Sequence, residues 1–420
     1  MTGWRDAWHV YLHRRVLGML FLGFSSGLPL PLVFFTFLTW LAEAGVSATD
    51  IGLLSGVGLA YAFKVLWSPL VDRLPLPFLT RRFGQRRGWM LFSQAMVAAG
   101  LAAMAATGPD QLTPFAFAAL WVAVFSATQD VAIDAYRIEA VDPDRQGAMA
   151  ATYVYGYRLA MIVAVAGALY TAQLGSWPLA YFAMAACMSV GVIVTLIIAE
   201  PVQRAREPYA GIAHWVQTAV VGPFVEFFVR NGARAFVILA LVSLYLMSDY
   251  LLGIMAGPFY IHMGYSKIEI ANVAKVFGTL VTIVGAGLGG LLVVRYGVMR
   301  MLLVGAVLIA GTNLAFAWLS AAGEAEVWRL TVVIMADNLS GGMASVFFIA
   351  YMSSLTNTEY TATQYALFSS LMKVPGKIAG LFSGFVVDAY GYTEFFIVAA
   401  ASGLPAILLV TYLMRAQRRA

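Results

Sequence analysis

VLGMLFLGFSSGLPLPLVFFTFLTWLA, residues Val16–Ala42, runs 27 residues without a charge. Hydrocarbon offers no partner to backbone amides, so a segment that crosses it must satisfy its own hydrogen bonds, and about 20 apolar residues in a helix suffice. Arg5, Arg14 and Arg15 precede it as they would a signal peptide. The apolar run is too long for a cleavable one.

The pattern repeats along the chain. Uncharged windows at 16–42, 50–71, 88–108, 113–135, 147–172, 177–199, 234–261, 267–294, 300–320, 328–355, 361–388 and 392–413 give twelve expected helices. Composition agrees: of 420 residues, 61% are hydrophobic and only 11% charged. Soluble globular chains carry nearer a quarter charged, so a soluble enzyme and a disordered chain are both excluded. Continuous apolar runs also argue against a porin-type barrel, whose strands alternate.

Nineteen Lys and Arg fall on the side of the amino terminus and only Lys267 and Arg329 on the other. That bias predicts both termini in the cytoplasm. The net charge of +5 is thus a topology signal and implies no nucleic-acid partner. Cys187 is the sole cysteine, and His9, His13, His214 and His262 lie outside or at the edges of the apolar runs, so no buried metal or cofactor site is expected. The polar stretch 200–233 divides the chain into units 1–199 and 234–420. Within it Trp215–Phe228, with Gln217, Glu226 and Gly222-Pro223, reads as a helix on the cytoplasmic surface.

The halves echo each other. Ala135-Tyr136 and Ala350-Tyr351 are 215 apart, the same offset carries Arg158 onto Lys373, and Gly27-Leu28-Pro29 has a counterpart in Gly257-Pro258. Duplicated six-helix units build many secondary transporters, with the site between the repeats. Runs such as Gly285, Gly287, Gly289 and Gly290 read as close helix packing.

Nine ionisable residues lie inside the expected spans: Lys64, Asp130, Asp134, Arg158, Asp249, Lys275, Asp337, Lys373 and Lys377. Each is costly there and by default marks a pathway. Asp130, Asp134 and Arg137 share one helix face. Either Lys64 or Arg158 neutralises Asp130 or Asp134 in a packing pair, or a buried carboxylate carries a proton across. Depth favours gate or pairing roles for Asp130 and Asp134, near the cytoplasmic end, and proton carriage for Asp249 and Asp337. Arg158, Asp249 and Lys373 fall near the midplane. Tyr157, Tyr245, Gln129 and Gln364 stand beside these charges and, with the surplus of cations, suit an anionic solute with hydrogen-bonding edges. Tyr153 and Tyr155 fit either that site or an interfacial belt.

Asp72-Arg73, then Arg81-Arg82-Phe-Gly84-Gln-Arg86-Arg87, resembles the major facilitator loop signature, stretched by the residues between. The resemblance implies that Asp72, Arg73, Arg86, Arg87 and Arg137 latch neighbouring helix ends and gate the path. Gly289-Gly290 to Arg295-Tyr-Gly297 is a weaker echo in the second half. The implied fold is an all-α membrane protein with twelve transmembrane helices, the major facilitator fold of two pseudo-symmetric six-helix bundles.

Phe24-Ser-Ser-Gly-Leu-Pro29, Lys64-Val-Leu-Trp67-Ser-Pro69, Arg86-Arg-Gly-Trp89, Gly156-Tyr-Arg158, Ala274-Lys275-Val-Phe277, Tyr360-Thr-Ala-Thr-Gln364-Tyr-Ala366 and above all Ser126-Ala-Thr-Gln-Asp130-Val-Ala-Ile-Asp134-Ala-Tyr-Arg137 resemble the AmpG-type muropeptide permeases. The resemblance implies a proton-driven importer of anhydromuropeptides in the bacterial inner membrane, a monomer among lipid, serving peptidoglycan recycling. One departure is Asp337-Asn338, where Glu-Asn is expected; the charge is kept on a shorter side chain. A siderophore permease of the related family is the rival, although it is expected to lack the full Ser126–Arg137 block. A membrane-embedded transferase would need a catalytic His, Cys or carboxylate cluster at one face, and breaks at Pro29, Pro31 and Pro258 suit rocking halves better than a fixed channel.

Overall fold

The computed structural model describes residues 10–46, 50, 54–202, 211, 216–266, 269–380 and 383–419. Arg5, Arg204, Arg206 and Lys267 of the charge count, and Trp215 of the linker, lie outside them, as does the side chain of Lys377. Among the described residues every regular element is helical.

Among the described residues ten helices are long and apolar enough to cross a membrane, and these match ten of the twelve windows. The second and eleventh windows are helical but broken. The second is assembled from Ser55–Gly58, Leu59–Phe63, Lys64–Leu66 and Ser68–Arg73. The eleventh is assembled from Thr361–Leu371, Val374–Gly380 and Ser383–Tyr390. The breaks sit beside charge and proline: buried Lys64 and, in the first turn of the last piece, Pro69 in one, and half-buried Lys373 and Pro375 in the other. Proline removes an amide donor and crowds the preceding turn.

Four spans run uninterrupted: the third, Gln85–Thr107; the fourth, Leu112–Glu139; the ninth, Val298–Ala321; and the tenth, Val327–Leu355. The first steps through Arg14–Gly27, Pro29–Leu32 and Phe35–Glu43, and the seventh through Arg234–Leu244 and Met247–His262. The fifth, from Gln146–Ile162, and the eighth, ending in Gly278–Tyr296, carry the wide turns Val163–Gly167 and Ile270–Phe277. Wide turns of this kind leave carbonyls without their usual partner and recur at functional sites.

Glycine sets which helices touch. A Cβ on Gly27 would lie 2.6 Å from the Tyr157 carbonyl oxygen, so the first and fifth spans meet backbone to backbone. In the second half Gly289 does the same against Met343, joining the eighth and tenth. Lipid tails are as apolar as leucine, so such contacts rather than apolar burial hold helix pairs together. Gly84 and Gly297 open the third and ninth spans at φ 92° and 83°, a left-handed turn repeated at one place in each half.

Between the bundles lies the helix Gly222–Asn231, entered by a wide turn from Val216 to Val221. It is docked rather than free. Pro223 and Phe227 are buried, and Phe227 meets Phe368 of the eleventh span edge to face at 5.3 Å. Gly222-Pro223 does not break it, because proline in a first turn gives up an amide that has no helical partner anyway.

Candidate functional site

Arginine-rich segments gather at one end of the bundle, here called the basic end, and there the halves are clasped together. Arg86 is fully buried and its guanidinium donates to Asp72 at 2.7 Å and to Glu139 at 2.6 Å and 2.9 Å. Asp72, itself 1% exposed, sits between that cation and the eleventh span. Its carboxylate accepts from the backbone N–H of Ala362 at 3.1 Å and of Thr363 at 2.7 Å, and from the Thr363 hydroxyl at 2.7 Å. The first amides of a helix have no partner within it and carry partial positive charge, so a carboxylate from the opposite bundle completes them.

Two further arginines cross between the halves. Arg73 pairs with Glu359 at 3.0 Å and lies over the Tyr360 ring. Arg137, with no exposed surface, donates to Ser353 at 2.7 Å, lies 4.9 Å over the Tyr365 ring and pairs with Asp134 at 3.5 Å. Arg87, expected among them, stays in its own half: it donates to the carbonyls of Thr195 and Leu196, both at 2.8 Å, and so caps the sixth span. Glu200 accepts from the amides of Arg86 and Arg87 and caps the third.

Among the described residues, eight of the nine expected charges divide. Lys64, 4% exposed, pairs with Asp134 at 3.7 Å, which realises the packing alternative with Lys64 rather than Arg158 as partner. Asp130 accepts a short hydrogen bond from Ser26, whose oxygen also lies 2.9 Å from the Tyr153 hydroxyl. Tyr153 therefore belongs to the buried network and not to an interfacial belt. Tyr155 reaches across to Gly287 of the eighth span. Arg158 of the fifth span is half-buried and within electrostatic range of Asp249 on the seventh, in the opposite half. Asp337 lies beside Thr312 and within range of Asp249. Lys373 bears on Asp130 across the halves, and half-buried Tyr157 lies between the fields of Asp130 and Arg158. Lys275 is exposed.

Three of the expected binding residues are placed elsewhere. Gln129 has no exposed surface and donates to Ser25 at 3.1 Å inside the first bundle. The Tyr245 hydroxyl donates to the Leu302 carbonyl at 2.9 Å and its ring stacks on Phe348 within the second. Gln364 donates to Pro223 at 2.9 Å and Glu226 at 2.6 Å and accepts from the Asn357 amide, tying the linker helix to the eleventh span. An amide or hydroxyl in an apolar bundle takes whatever partner its rotation about the helix presents, and spacing along the chain does not give that rotation. Glu139, Glu359 and Ser353 were not legible as clasp residues for the same reason. Only Glu139, two residues after Arg137, offered a local hint. Among the described residues no group of His, Cys, Asp and Glu is arranged to hold a metal.

Comparison with known proteins bears on this arrangement. The family model described as Major Facilitator Superfamily matches residues 15–380. A protein of Escherichia coli (strain K12) named anhydromuropeptide permease is 37% identical over 396 residues, covering 93% of this chain and 78% of that one. A Rickettsia conorii chain carrying the transporter name AmpG 4 is 34% identical over 408 residues, covering 96% and 97%. Among solved structures the proton:xylose symporter XylE superposes with a TM-score of 0.64 at 12% identity, covering 96% and 94% of the two chains. The human organic anion transporter MFSD10 gives 0.65 at 16%, covering 96% and 99%.

Proposed function

Starting from the fact that this chain belongs to the major facilitator superfamily, as one of its AmpG-type permeases and a multi-pass membrane transporter, we propose that it imports anhydromuropeptides, GlcNAc-anhydroMurNAc with or without peptide, across the bacterial inner membrane with protons. The observation that carries this reading is the half-buried Arg158 of the first half within electrostatic range of Asp249 of the second, a cation set where an anionic glycopeptide would pass from one bundle to the other. The kinship with the E. coli permease supplies the substrate class.

In this reading both termini are cytoplasmic, the basic end is the cytoplasmic gate and the clasp holds it shut, so solute enters from the opposite side. Asp249 and Asp337 carry the proton: they lie near one another with one cation in range, whereas Asp134 is tied between Lys64 and Arg137 and Asp130 is held by Ser26. Arg158, Tyr157 and Lys373 bind solute, with Lys275 on its route. Protonating Asp249 removes the negative charge within range of Arg158 and leaves the guanidinium to the solute's carboxylate, which couples the two movements.

Uptake of labelled anhydromuropeptide into proteoliposomes, with the outside acid, tests the proposal. Accumulation is expected and a protonophore should abolish it; unchanged accumulation would refute the coupling. Asp249→Asn should end concentrative uptake while leaving counterflow, and equal loss of both would make Asp249 a binding residue only. A ferric siderophore offered in the same assay should not compete; if it does and unlabelled anhydromuropeptide does not, the substrate class is wrong.

A further inference from the structure

A cavity of about 260 Å³ opens at the basic end of the second bundle, beneath the linker helix. Arg230, Asn231, Arg234 and Tyr351 supply its polar wall, and Ile238 and Leu413 are among its apolar lining. Arg230 is already engaged, with Glu226 at 2.8 Å and the Leu355 carbonyl at 2.7 Å. Arg234 differs: it is exposed, and among the described residues no hydrogen bond or ion pair engages its guanidinium. The Tyr351 side chain is only 3% exposed, yet its hydroxyl also takes no partner among the described residues. A buried phenol normally finds one.

An unpaired guanidinium, a second arginine, an amide and an unpaired hydroxyl converge on one small space that continues into apolar side chains. Arginine and hydroxyl donors suit phosphate oxygens. The apolar wall suits hydrocarbon, and the place is the level of a bilayer where headgroups lie. We propose that this cavity binds the phosphodiester headgroup of an anionic phospholipid, with Arg234 and Tyr351 donating to the phosphate and the acyl chains running along Ile238 and Leu413. The occupant would sit against the residue that ties the linker helix to the end of the tenth span.

Full-length protein in nanodiscs of equal phosphatidylglycerol and phosphatidylcholine, analysed by native mass spectrometry for lipid retained after release, tests this. Wild type should retain phosphatidylglycerol in several-fold excess. Arg234→Gln should cut that excess roughly fivefold, the scale of one cation at an anionic surface. Met299→Trp, which fills the cavity and leaves every charge in place, should do the same. Arg329→Gln, at the opposite end of the tenth span from Leu355, should change nothing. No preference in wild type, or an equal loss in Arg329→Gln, overturns the site. Displacement of the lipid by millimolar glycerol phosphate would make the ligand a soluble phosphate and overturns it equally.

Discussion

The end of the second span meets the start of the eleventh, and the end of the eighth meets the start of the fifth, so the two halves make the same junction twice with different chemistry. In the first, Asp72 inserts a carboxylate among the amides of Ala362 and Thr363 and is backed by Arg86 and Glu139. In the second, Val293 and the carbonyl of Gly290 lie where a Cβ on Gly147 would fall, at 2.7 Å and 3.1 Å. The stretch there, Val293-Val294-Arg295, has no acid. A charged junction gains most of its energy from a few directed bonds and is lost when any of them breaks; a close-packed one loses little by sliding. Of the two equivalent positions, one thus carries charged bonds, the latch of the proposed reading, and the other close packing, its bearing.

Breaking the latch should have the largest effect. Asp72→Asn leaves a buried guanidinium with one carboxylate and weakens three bonds to the eleventh span, and removing one partner of a buried pair typically costs about 3–5 kcal/mol. Spin labels at the basic ends of the second and eleventh spans should report a majority of separated halves in the variant. An unchanged distance distribution would make Asp72 a folding residue only.

Gly147→Val probes the bearing. Overpacking costs about 1–3 kcal/mol, and it should lower the melting temperature without favouring either arrangement at the latch. If it separates the second and eleventh spans as strongly as Asp72→Asn, the two junctions are one device and the contrast fails.

Arg73→Gln removes the outer ion pair of the latch. Glu359 is 48% exposed, so water and salt screen the pair, and exposed pairs contribute about 0–1 kcal/mol. The loss should be small and should vanish at 1 M salt; a loss that survives high salt would mean that the Arg73–Tyr360 contact carries the interaction instead.

The smallest effect lies beside the bearing. Partial burial, then Arg145 and Arg15, hold the His13 imidazolium below its usual range. The unfolded chain then binds a proton that the folded chain refuses, so stability should fall slightly as pH drops below roughly 6.5, the ordinary value. His13→Asn, which keeps a capping acceptor, should flatten that slope. A slope that persists unchanged assigns it to another group.

Much of this molecule could be read before any coordinates. Val16–Ala42 and its successors marked where helices cross, and the loop that begins at Asp72-Arg73, with its weaker echo ending at Gly297, marked one place in each half. Lys64 with Asp134 was one of several pairings the sequence allowed. The broken second and eleventh spans were hidden because hydropathy sums over a window and does not register Pro69, Pro375 or a turn beside a buried lysine.

Sequence alone determined the class of fold and the family because hydrophobic length and motif order are one-dimensional properties, set residue by residue against lipid and water. Tertiary structure alone decided that Arg137 reaches Ser353, that Gln364 serves the linker helix, that Arg87 stays at home and that Arg158 comes within electrostatic range of Asp249. Those outcomes depend on how each helix is turned about its axis and which neighbour its glycines admit, and a charge in a bundle is satisfied by whatever that rotation places before it.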